Sequence, residues 1–450
     1  MTGRTTRRAV LRGAGAAAAA AALRGWRAAP AAAQTPTRIT FWHAMGGNLG
    51  ETVVRAFVNT FNASRKDIQV EAQFQGGYDD LINKLRASIG SSAVPAVAQV
   101  YDIGTRFMID SKAIVPMQDF IDREKFDVGQ FEPNILAYYR VGARLYSMPF
   151  NTSTAILYYN KDLFKKAGLN PDQPPRTFEE IASYAGRLVK SGATPSGITI
   201  AIYGWFFEQL LARQGALYAN NGNGRDAAAT EVVYDHEEAG PRILEWWAGM
   251  VKAGAATNPG RPTAASQRAF AAGQTAMTVD STAVLASLLS QSGGRFALGT
   301  GYFPKPPGAA TGGSIVGGAS AWILNRRPGA EQQAAWEFVK FISAPAQQAQ
   351  WYVGTGYFPV RRDAYHEPVA QERLAKYPQF LTAISELRSS PINRATQGAL
   401  LGVFPEARQK SEDAIEAAVL GRKPAQQALA DAAREVNQAI GVYNRTMGVK

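Results

Sequence analysis

RITFW at residues 38–42, IQVEAQF at 68–74 and AVAQVYD at 96–102 are three apolar runs in the first quarter of the chain. Their length and their β-branched and aromatic content predict strands, whereas apolar side chains recur at helical spacing in the two segments between them. The order strand, helix, strand, helix, strand predicts a parallel sheet with helices packed on it, which is an α/β architecture.

Two polar residues follow the predicted strands directly. Tyr78 comes after the second run, and Asp102 closes the third. Ligands of open α/β sheets bind beyond the carboxyl ends of the strands, so we expect both side chains at one binding site. Asp102 is the stronger candidate because an acid at the end of an apolar strand has little structural reason to be there.

A second α/β unit is predicted to start near Pro149. Thr177 and Glu180 have the spacing of a capping box, and Asn160 is placed to begin a short helix that ends at Gly168. Further helices are predicted at residues 205–218, 241–253, 264–272, 331–342 and 424–440, and further strands at 275–279 and 320–324.

The first 33 residues are typical of an export signal. They contain six arginines and no acid, an Ala-rich run at residues 14–23, and small residues at 31–33. Arg7 and Arg8 lie in the string TRRAVL, which is typical of the twin-arginine export route. We therefore expect residues 1–33 to be a twin-arginine signal peptide, and the mature protein to be periplasmic.

Composition excludes several other classes. Six of the twelve units of net positive charge come from the signal arginines, and the remaining basic residues are mixed with acids, so we expect no nucleic-acid partner. The absence of cysteine leaves no thiol nucleophile and no residue for a lipid anchor. After the signal, no run of eighteen apolar residues predicts a membrane span.

The titratable residues do not predict an enzyme. The three histidines, His43, His236 and His366, are far apart, and neither a nucleophile elbow nor a phosphate loop is present. We therefore expect no catalytic residue, no metal and no cofactor. Aromatic residues combined with glycine and hydroxyl residues at strand ends favour a binding cleft for a small polar solute.

Several strings along the chain resemble the glycerol-3-phosphate-binding branch of the extracellular solute-binding proteins of ABC importers. They are FWHAM (41–45), QVYDIGT (99–105), PFNTST (149–154), LYYNKD (157–162), LFKKAGLNPDQPP (163–175), GGASAW (317–322), TGYFP (355–359) and residues 398–408. Each string alone is weak, but their order and spacing together cover essentially the whole mature chain.

This resemblance implies a two-lobed periplasmic-binding-protein fold of the type II-like class, in which a hinge joins the lobes and the ligand binds in the cleft between them. The expected lobes are residues 34–149 plus 282–335 and residues 150–281 plus 336–450. The implied role is capture of glycerol-3-phosphate or a glycerophosphodiester for delivery to ABC permease subunits. The implied form is a soluble monomer.

The resemblance also implies the ligand contacts. They are Tyr78, Asp102, Ser153, Trp205, Ser281, Gly318, Tyr357 and Arg408. Arg408 would bind a phosphate through two parallel N–H donors of its guanidinium fork. The two serine hydroxyls, the Tyr357 phenol and the Gly318 N–H group would add further hydrogen bonds. Asp102 would accept hydrogen bonds from glycerol hydroxyls, and Trp205 would form a wall of the cleft.

Two departures from the family pattern bear on the substrate. Ile202 stands where the family has the first tryptophan of a Gly-Trp-x-Gly-Trp pair, and Asp102 replaces the usual glutamate. Both changes predict a larger pocket that accepts a diester such as glycerophosphocholine. A sugar-binding or oligosaccharide-binding protein of the same fold stays open, as does, more distantly, a periplasmic phosphodiester hydrolase.

Overall fold

The computed structural model describes residue 1 and residues 35–47, 50–309 and 311–449. Apart from Met1, the predicted signal peptide at residues 1–33 lies outside the described residues. Over the described ranges, no helix combines the length and the apolar character needed to cross a membrane.

Thirteen strands are found in the described part of the chain. In chain order they are β1 (Thr37–His43), β2 (Ile68–Phe74), β3 (Val97–Tyr101), β4 (Ile114–Val115), β5 (Arg140–Val141), β6 (Arg144–Leu145), β7 (Met148–Ser153), β8 (Ala155–Asn160), β9 (Ser196–Thr199), β10 (Ala256–Thr257), β11 (Thr275–Ser281), β12 (Leu298–Tyr302) and β13 (Gly317–Leu324).

Helices connect and cover these strands. In chain order they are α1 (Glu51–Ser64), α2 (Tyr78–Ser88), α3 (Thr105–Asp110), α4 (Met117–Glu124), α5 (Pro133–Tyr139), α6 (Lys161–Lys166), α7 (Phe178–Lys190), α8 (Gly204–Arg213), α9 (Ala239–Lys252), α10 (Thr263–Ala271), α11 (Leu285–Ser292), α12 (Gly329–Ile342), α13 (Pro345–Gly354), α14 (Pro368–Lys376), α15 (Leu381–Ser389), α16 (Phe404–Val419) and α17 (Ala425–Met447). The segment Asn220–Gly224 instead forms a turn whose central residues are left-handed.

The first sheet has six strands, in the order β2-β1-β3-β13-β4, with β7 also paired to β13. β1 pairs in parallel with β2 and with β3, which confirms the predicted βαβαβ unit. β13 returns much later in the chain and pairs antiparallel with β3, so the sheet is mixed rather than purely parallel.

The second sheet has five strands in the order β10-β9-β11-β8-β12. The chain passes from the first sheet to the second at Thr154, between β7 and β8, and returns between β12 and β13. The predicted lobe boundaries assigned residues 282–335 to the first lobe, whereas β12 pairs with β8 in the second sheet. We propose that the second lobe includes β12, and the remaining lobe boundaries stay predictions.

Local sequence signals explain where two of the helices begin. The Thr177 hydroxyl accepts a hydrogen bond from the Glu180 N–H group at 3.1 Å, and the Glu180 carboxylate accepts one from the Thr177 N–H group, so the predicted capping box at α7 is confirmed. The Asn160 side chain accepts hydrogen bonds from the N–H groups of Asp162 and Leu163, which caps α6.

Candidate functional site

A cavity of about 500 Å³ lies between the two sheets. Its walls come from both: α2, β7 and β13 on the side of the first sheet, and the ends of β11 and the start of α8 on the side of the second. The lining residues are Tyr78, Asp102, Ser153, Tyr203, Trp205, Arg261, Thr263, Ala264, Gln267, Asp280, Ser281, Ala283, Val284, Ser287, Gln291, Gly318 and Tyr357.

Seven of the eight residues implied by the resemblance line this one cavity. They are Tyr78, Asp102, Ser153, Trp205, Ser281, Gly318 and Tyr357. They come from positions between 78 and 357, and the fold brings them together from strand ends, helix starts and a loop. Their role in ligand binding remains a prediction.

Strand ends position most of these side chains. Tyr78 begins α2 after β2, and Asp102 begins a 3-10 turn directly after β3, as expected from the parallel register. Ser153 ends β7 opposite Gly317, and Ser281 ends β11, where its hydroxyl accepts a hydrogen bond from the Ala283 N–H group at 3.1 Å.

Gly318 allows two strands to approach closely at the cavity wall. Its φ of +100° lies in the region that favours glycine, and a Cβ at this position would meet the Asn151 carbonyl oxygen at 1.9 Å. In the pairing of β13 with β7, Gly318 lies opposite Thr152, next to Ser153. The glycine therefore brings the Ser153 hydroxyl to the cavity.

Aromatic rings form the apolar part of the wall. The Tyr78 ring stacks on Tyr101 with centroids 5.3 Å apart, and the Tyr357 ring stacks on Trp351 at 5.6 Å. The Tyr78 hydroxyl accepts a hydrogen bond from Asn151 Nδ2 at 2.8 Å. Burial raises the pKa of both tyrosines, so their hydroxyls stay protonated at neutral pH and can donate to a ligand.

Trp205 lies at the start of α8, and its indole packs against the backbone of Gly317, where a Cβ would meet ring atoms at 2.5 Å. Its Nε1–H group is buried and finds no acceptor within the described residues. A buried indole N–H group without an acceptor costs free energy unless a ligand or water supplies one. Trp205 forms part of the cavity wall.

Arg408, the eighth residue implied by the resemblance, is not among the lining residues, and its role in ligand binding remains a prediction. It lies on α16, and its Nε and one terminal nitrogen bind the two Glu208 carboxylate oxygens at 2.7 and 2.8 Å. The same terminal nitrogen contacts Asp102 Oδ2 at 3.2 Å. The guanidinium fork expected to hold a phosphate is thus occupied by two carboxylates, because Glu208, which the sequence interpretation did not consider, faces it from α8.

The buried cluster of Asp102, Glu208 and Arg408 changes the pKa of each of its members. Burial raises the pKa of Asp102, while the attraction of the Arg408 guanidinium lowers it. Burial likewise raises the pKa of Glu208 to about 7, against the opposing effect of Arg408. Burial alone would lower the pKa of Arg408, but the attraction of the Glu208 and Asp102 carboxylates raises it well above its usual value. The guanidinium therefore stays charged and holds the Asp102 carboxyl in place.

The expectation that Ile202 borders the cleft is wrong for this structure. Ile202 is 1% exposed and packs in the hydrophobic core, and it is absent from the cavity wall. Its N–H group donates to the Gly260 carbonyl oxygen at 2.9 Å, which fixes the backbone there. The next residue, Tyr203, lines the cavity instead, with its ring 6.2 Å from that of Trp205.

Sequence reasoning also missed Arg261 and Asp280. Arg261 lies at the rim and is held by Asp413 and Glu416 of α16, at 2.6 and 2.8 Å. Asp280 is 4% exposed, and burial raises its pKa to about 7. The sequence did contain a signal for Asp280, because this residue lies at the end of an apolar strand, as Asp102 does. The predicted strand stopped at Val279, one residue before it.

The family model of the bacterial extracellular solute-binding proteins matches residues 56–382. The sn-glycerol-3-phosphate-binding periplasmic protein UgpB of Escherichia coli K12 is 34% identical over 423 residues, covering 92% of this chain and 95% of that protein. The protein of the same name from Shigella flexneri is 33% identical over the same shares.

Two solved structures share the fold. UgpB from Mycobacterium tuberculosis in complex with glycerophosphocholine superposes with a TM-score of 0.77 at 22% identity, covering 90% of this chain and 99% of that one. The sugar-binding protein MalE from Xanthomonas citri superposes with a TM-score of 0.75 at 20% identity, covering 92% and 100%. These likenesses confirm the predicted two-lobed α/β fold, and the chain belongs to the bacterial extracellular solute-binding proteins.

Proposed function

We propose that this protein is the substrate-binding component of an ABC importer, which captures sn-glycerol-3-phosphate or a glycerophosphodiester and delivers it to membrane permease subunits. The observation that carries this proposal is the cavity between the two sheets, where seven residues at the family's predicted ligand positions converge. The Escherichia coli and Mycobacterium tuberculosis relatives, whose names specify glycerol-3-phosphate and glycerophosphocholine, support the solute class.

The chemistry of the cavity suits a phosphoryl group held mainly by neutral donors. Ser153 and Ser281 supply hydroxyls, and Tyr357 supplies a phenol. Such donors bind a phosphodiester without needing the Arg408 fork. Asp102, fixed by Arg408 at 3.2 Å, is placed to accept hydrogen bonds from the glycerol hydroxyls.

Calorimetric titration of the mature protein with glycerol-3-phosphate, glycerophosphocholine and maltotriose tests this function. We expect saturable binding of at least one phosphoryl ligand. The matched pair Tyr357→Phe and Tyr377→Phe separates the cavity from the surface, since Tyr377 does not line the cavity. Tyr357→Phe should weaken binding about fivefold or more, by loss of one hydrogen bond, and Tyr377→Phe should leave it unchanged.

A sugar-binding role in the same importer class is the second candidate. The observation in its favour is that Arg408 is occupied by Glu208 and Asp102, while aromatic rings line the cavity, an arrangement that suits a neutral sugar. Binding of maltotriose with no binding of either phosphoryl ligand would establish this alternative. Turnover of glycerophosphocholine by metal-stripped protein would instead indicate the phosphodiester hydrolase.

We further propose that the protein works in the periplasm, without a lipid anchor, as a monomer, after export through the twin-arginine route. The periplasmic location named for the Escherichia coli relative supports this placement. If the variant with lysine at both Arg7 and Arg8 still reaches the periplasm at the wild-type level, the twin-arginine route is wrong.

A further inference from the structure

Asp280 is a buried carboxyl group in the cavity wall at the end of β11. Gln267 Nε2 donates a hydrogen bond to its Oδ2 at 2.9 Å, and the Ser281 N–H group donates to its Oδ1 at 2.7 Å. Within the described ranges, no lysine or arginine lies within ion-pair distance of this carboxyl, although it is only 4% exposed. Its two neutral hydrogen bonds orient it but do not compensate its charge.

The other charged side chains of the cavity wall, Asp102 and Arg261, each have a partner of opposite charge. Asp102 has the Arg408 guanidinium at 3.2 Å, and Arg261 is bound by Asp413 at 2.6 Å and Glu416 at 2.8 Å. Asp280 is therefore the charged side chain of the described cavity wall that has no partner of opposite charge. Because Asp102 and Glu208 share one guanidinium, that cluster leaves no positive charge over to offset an ionised Asp280. A buried carboxylate without a cation is unfavourable, and a ligand that brings a cation to it removes that cost.

From this charge arrangement we propose that Asp280 forms a cation subsite and that the preferred solute is a zwitterion, with a phosphodiester at one end and an ammonium group at the other. The inference rests on the proposed function and narrows its substrate class. A zwitterion brings one negative charge to the neutral donors and one positive charge to Asp280. Glycerol-3-phosphate brings two negative charges and nothing to balance the carboxylate.

Aromatic side chains line the same cavity as the proposed subsite. They are Tyr78, Tyr203, Trp205 and Tyr357. A cavity that offers both a carboxylate and aromatic faces suits methylated ammonium groups.

The test uses three ligands that differ in charge at one end: glycerophosphocholine, its isosteric anionic analogue with a neutral 3,3-dimethylbutyl group in place of the choline group, and glycerol-3-phosphate. Calorimetry at about pH 8 compares wild type with Asp280→Asn and with a control, Asp172→Asn, whose side chain is largely exposed. Asparagine keeps the size of the side chain and removes only its charge, and thermal unfolding checks that each variant is folded.

We expect wild type to bind glycerophosphocholine at least about tenfold more tightly than the dimethylbutyl analogue, which lacks the ammonium charge. Asp280→Asn should weaken glycerophosphocholine about tenfold or more and leave the analogue within about twofold, while Asp172→Asn should change neither. Equal weakening of both ligands by Asp280→Asn, or no weakening, would overturn the cation subsite. If the wild-type protein binds glycerol-3-phosphate but neither diester, this inference is wrong and the proposed function stands. If the wild-type protein binds no phosphoryl ligand, both are wrong.

Discussion

At the scale of single residues, Gly318 carries the tightest steric requirement in the cavity wall. A Cβ at Gly318 would lie 1.9 Å from the Asn151 carbonyl oxygen, and the φ of +100° is unfavourable for any L side chain. To relieve this steric clash, β7 would have to move away from β13. That movement displaces Ser153, which follows Asn151 by two residues on the same strand.

Gly318→Ala should therefore lower the free energy of unfolding by about 2 kcal/mol or more, and it should weaken ligand binding in the molecules that remain folded. Gly186→Ala is the matched control, because Gly186 lies inside α7 and an added Cβ there meets no atom within 4 Å. The control should be neutral or stabilise by up to about 1 kcal/mol. Urea unfolding of both variants decides the point, and similar stabilities would contradict the close approach of the two strands.

Asp280 predicts a specific pH dependence of the ligand-free protein. Burial raises its pKa from 3.8 to about 7, so the folded protein holds this proton more tightly than the unfolded chain does. Its stabilising contribution is complete below about pH 4 and is lost as pH rises through about 7, with a total of about 4 kcal/mol. Asp280→Asn lacks this titration.

The difference in unfolding free energy between Asp280→Asn and wild type should therefore grow in favour of the variant between about pH 4 and pH 8. Urea unfolding across this range measures it, and the other titrating groups largely cancel in the difference. Parallel pH profiles for the two proteins would show that the Asp280 carboxyl is solvated and not buried as described.

Residue-level reasoning from sequence succeeded where a polar residue follows a well-marked strand. Tyr78 and Asp102 were placed correctly at the carboxyl edge because the first βαβαβ unit has clear periodicity. Ile202 was misplaced, and the ion pairs of Arg408 were not predicted, for one physical reason: the direction in which a helical or loop residue points depends on tertiary partners. Glu208 and the core around α8 determine both positions, and neither is visible in local sequence. The role of Arg408 in ligand binding remains a prediction.

At the scale of elements, the contact between α8 and α16 is built around a buried ion pair. Glu208 of α8 and Arg408 of α16 are each about 7% exposed and are joined by two hydrogen bonds. The Gly204 N–H group at the start of α8 also donates to Glu412 of α16 at 2.9 Å. Since Arg408 also reaches Asp102, the two helices of the second unit are joined to the first sheet at the cavity wall.

Arg408→Met should destabilise the protein by about 3–5 kcal/mol, because it leaves the Glu208 and Asp102 carboxyls buried without a cation. The double variant Arg408→Met/Glu208→Leu should recover a substantial part of this loss, since one of the two carboxyls is then removed. Urea unfolding of wild type and both variants measures the effect. An Arg408→Met protein of normal stability that fails to bind ligand would instead restore the first prediction, in which Arg408 contacts the phosphate.

Elements with strong local signals were predicted well. α7 begins at its capping box, and α10 and α12 match their predicted spans to within about two residues. β7 and β8 were not predicted as strands, because every one of their residues is buried and no alternation of polar and apolar side chains marks them. The antiparallel return of β13 to β3 was also missed, since the pairing joins residues more than 200 positions apart.

At the scale of the whole molecule, the cavity has one wall on each sheet, and few chain crossings join the two. Ligand contacts made to Asp102, Ser153 and Tyr357 on one side and to Trp205, Asp280 and Ser281 on the other can all form at once only when the walls are close. A solute that contacts both walls binds the closed arrangement more tightly than the open one. Binding therefore shifts the population of molecules towards the closed arrangement.

Small-angle scattering should therefore show a smaller radius of gyration for the protein at saturating ligand than for the protein alone. The decrease should follow the binding isotherm measured by calorimetry, because closure and occupancy are linked. A matched solute that calorimetry shows not to bind serves as the control for solvent contrast and should leave the radius unchanged. If the radius also stays constant at demonstrated saturation with the bound ligand, the two walls are fixed relative to each other, and the cavity is a rigid preformed pocket rather than a cleft closed by a hinge.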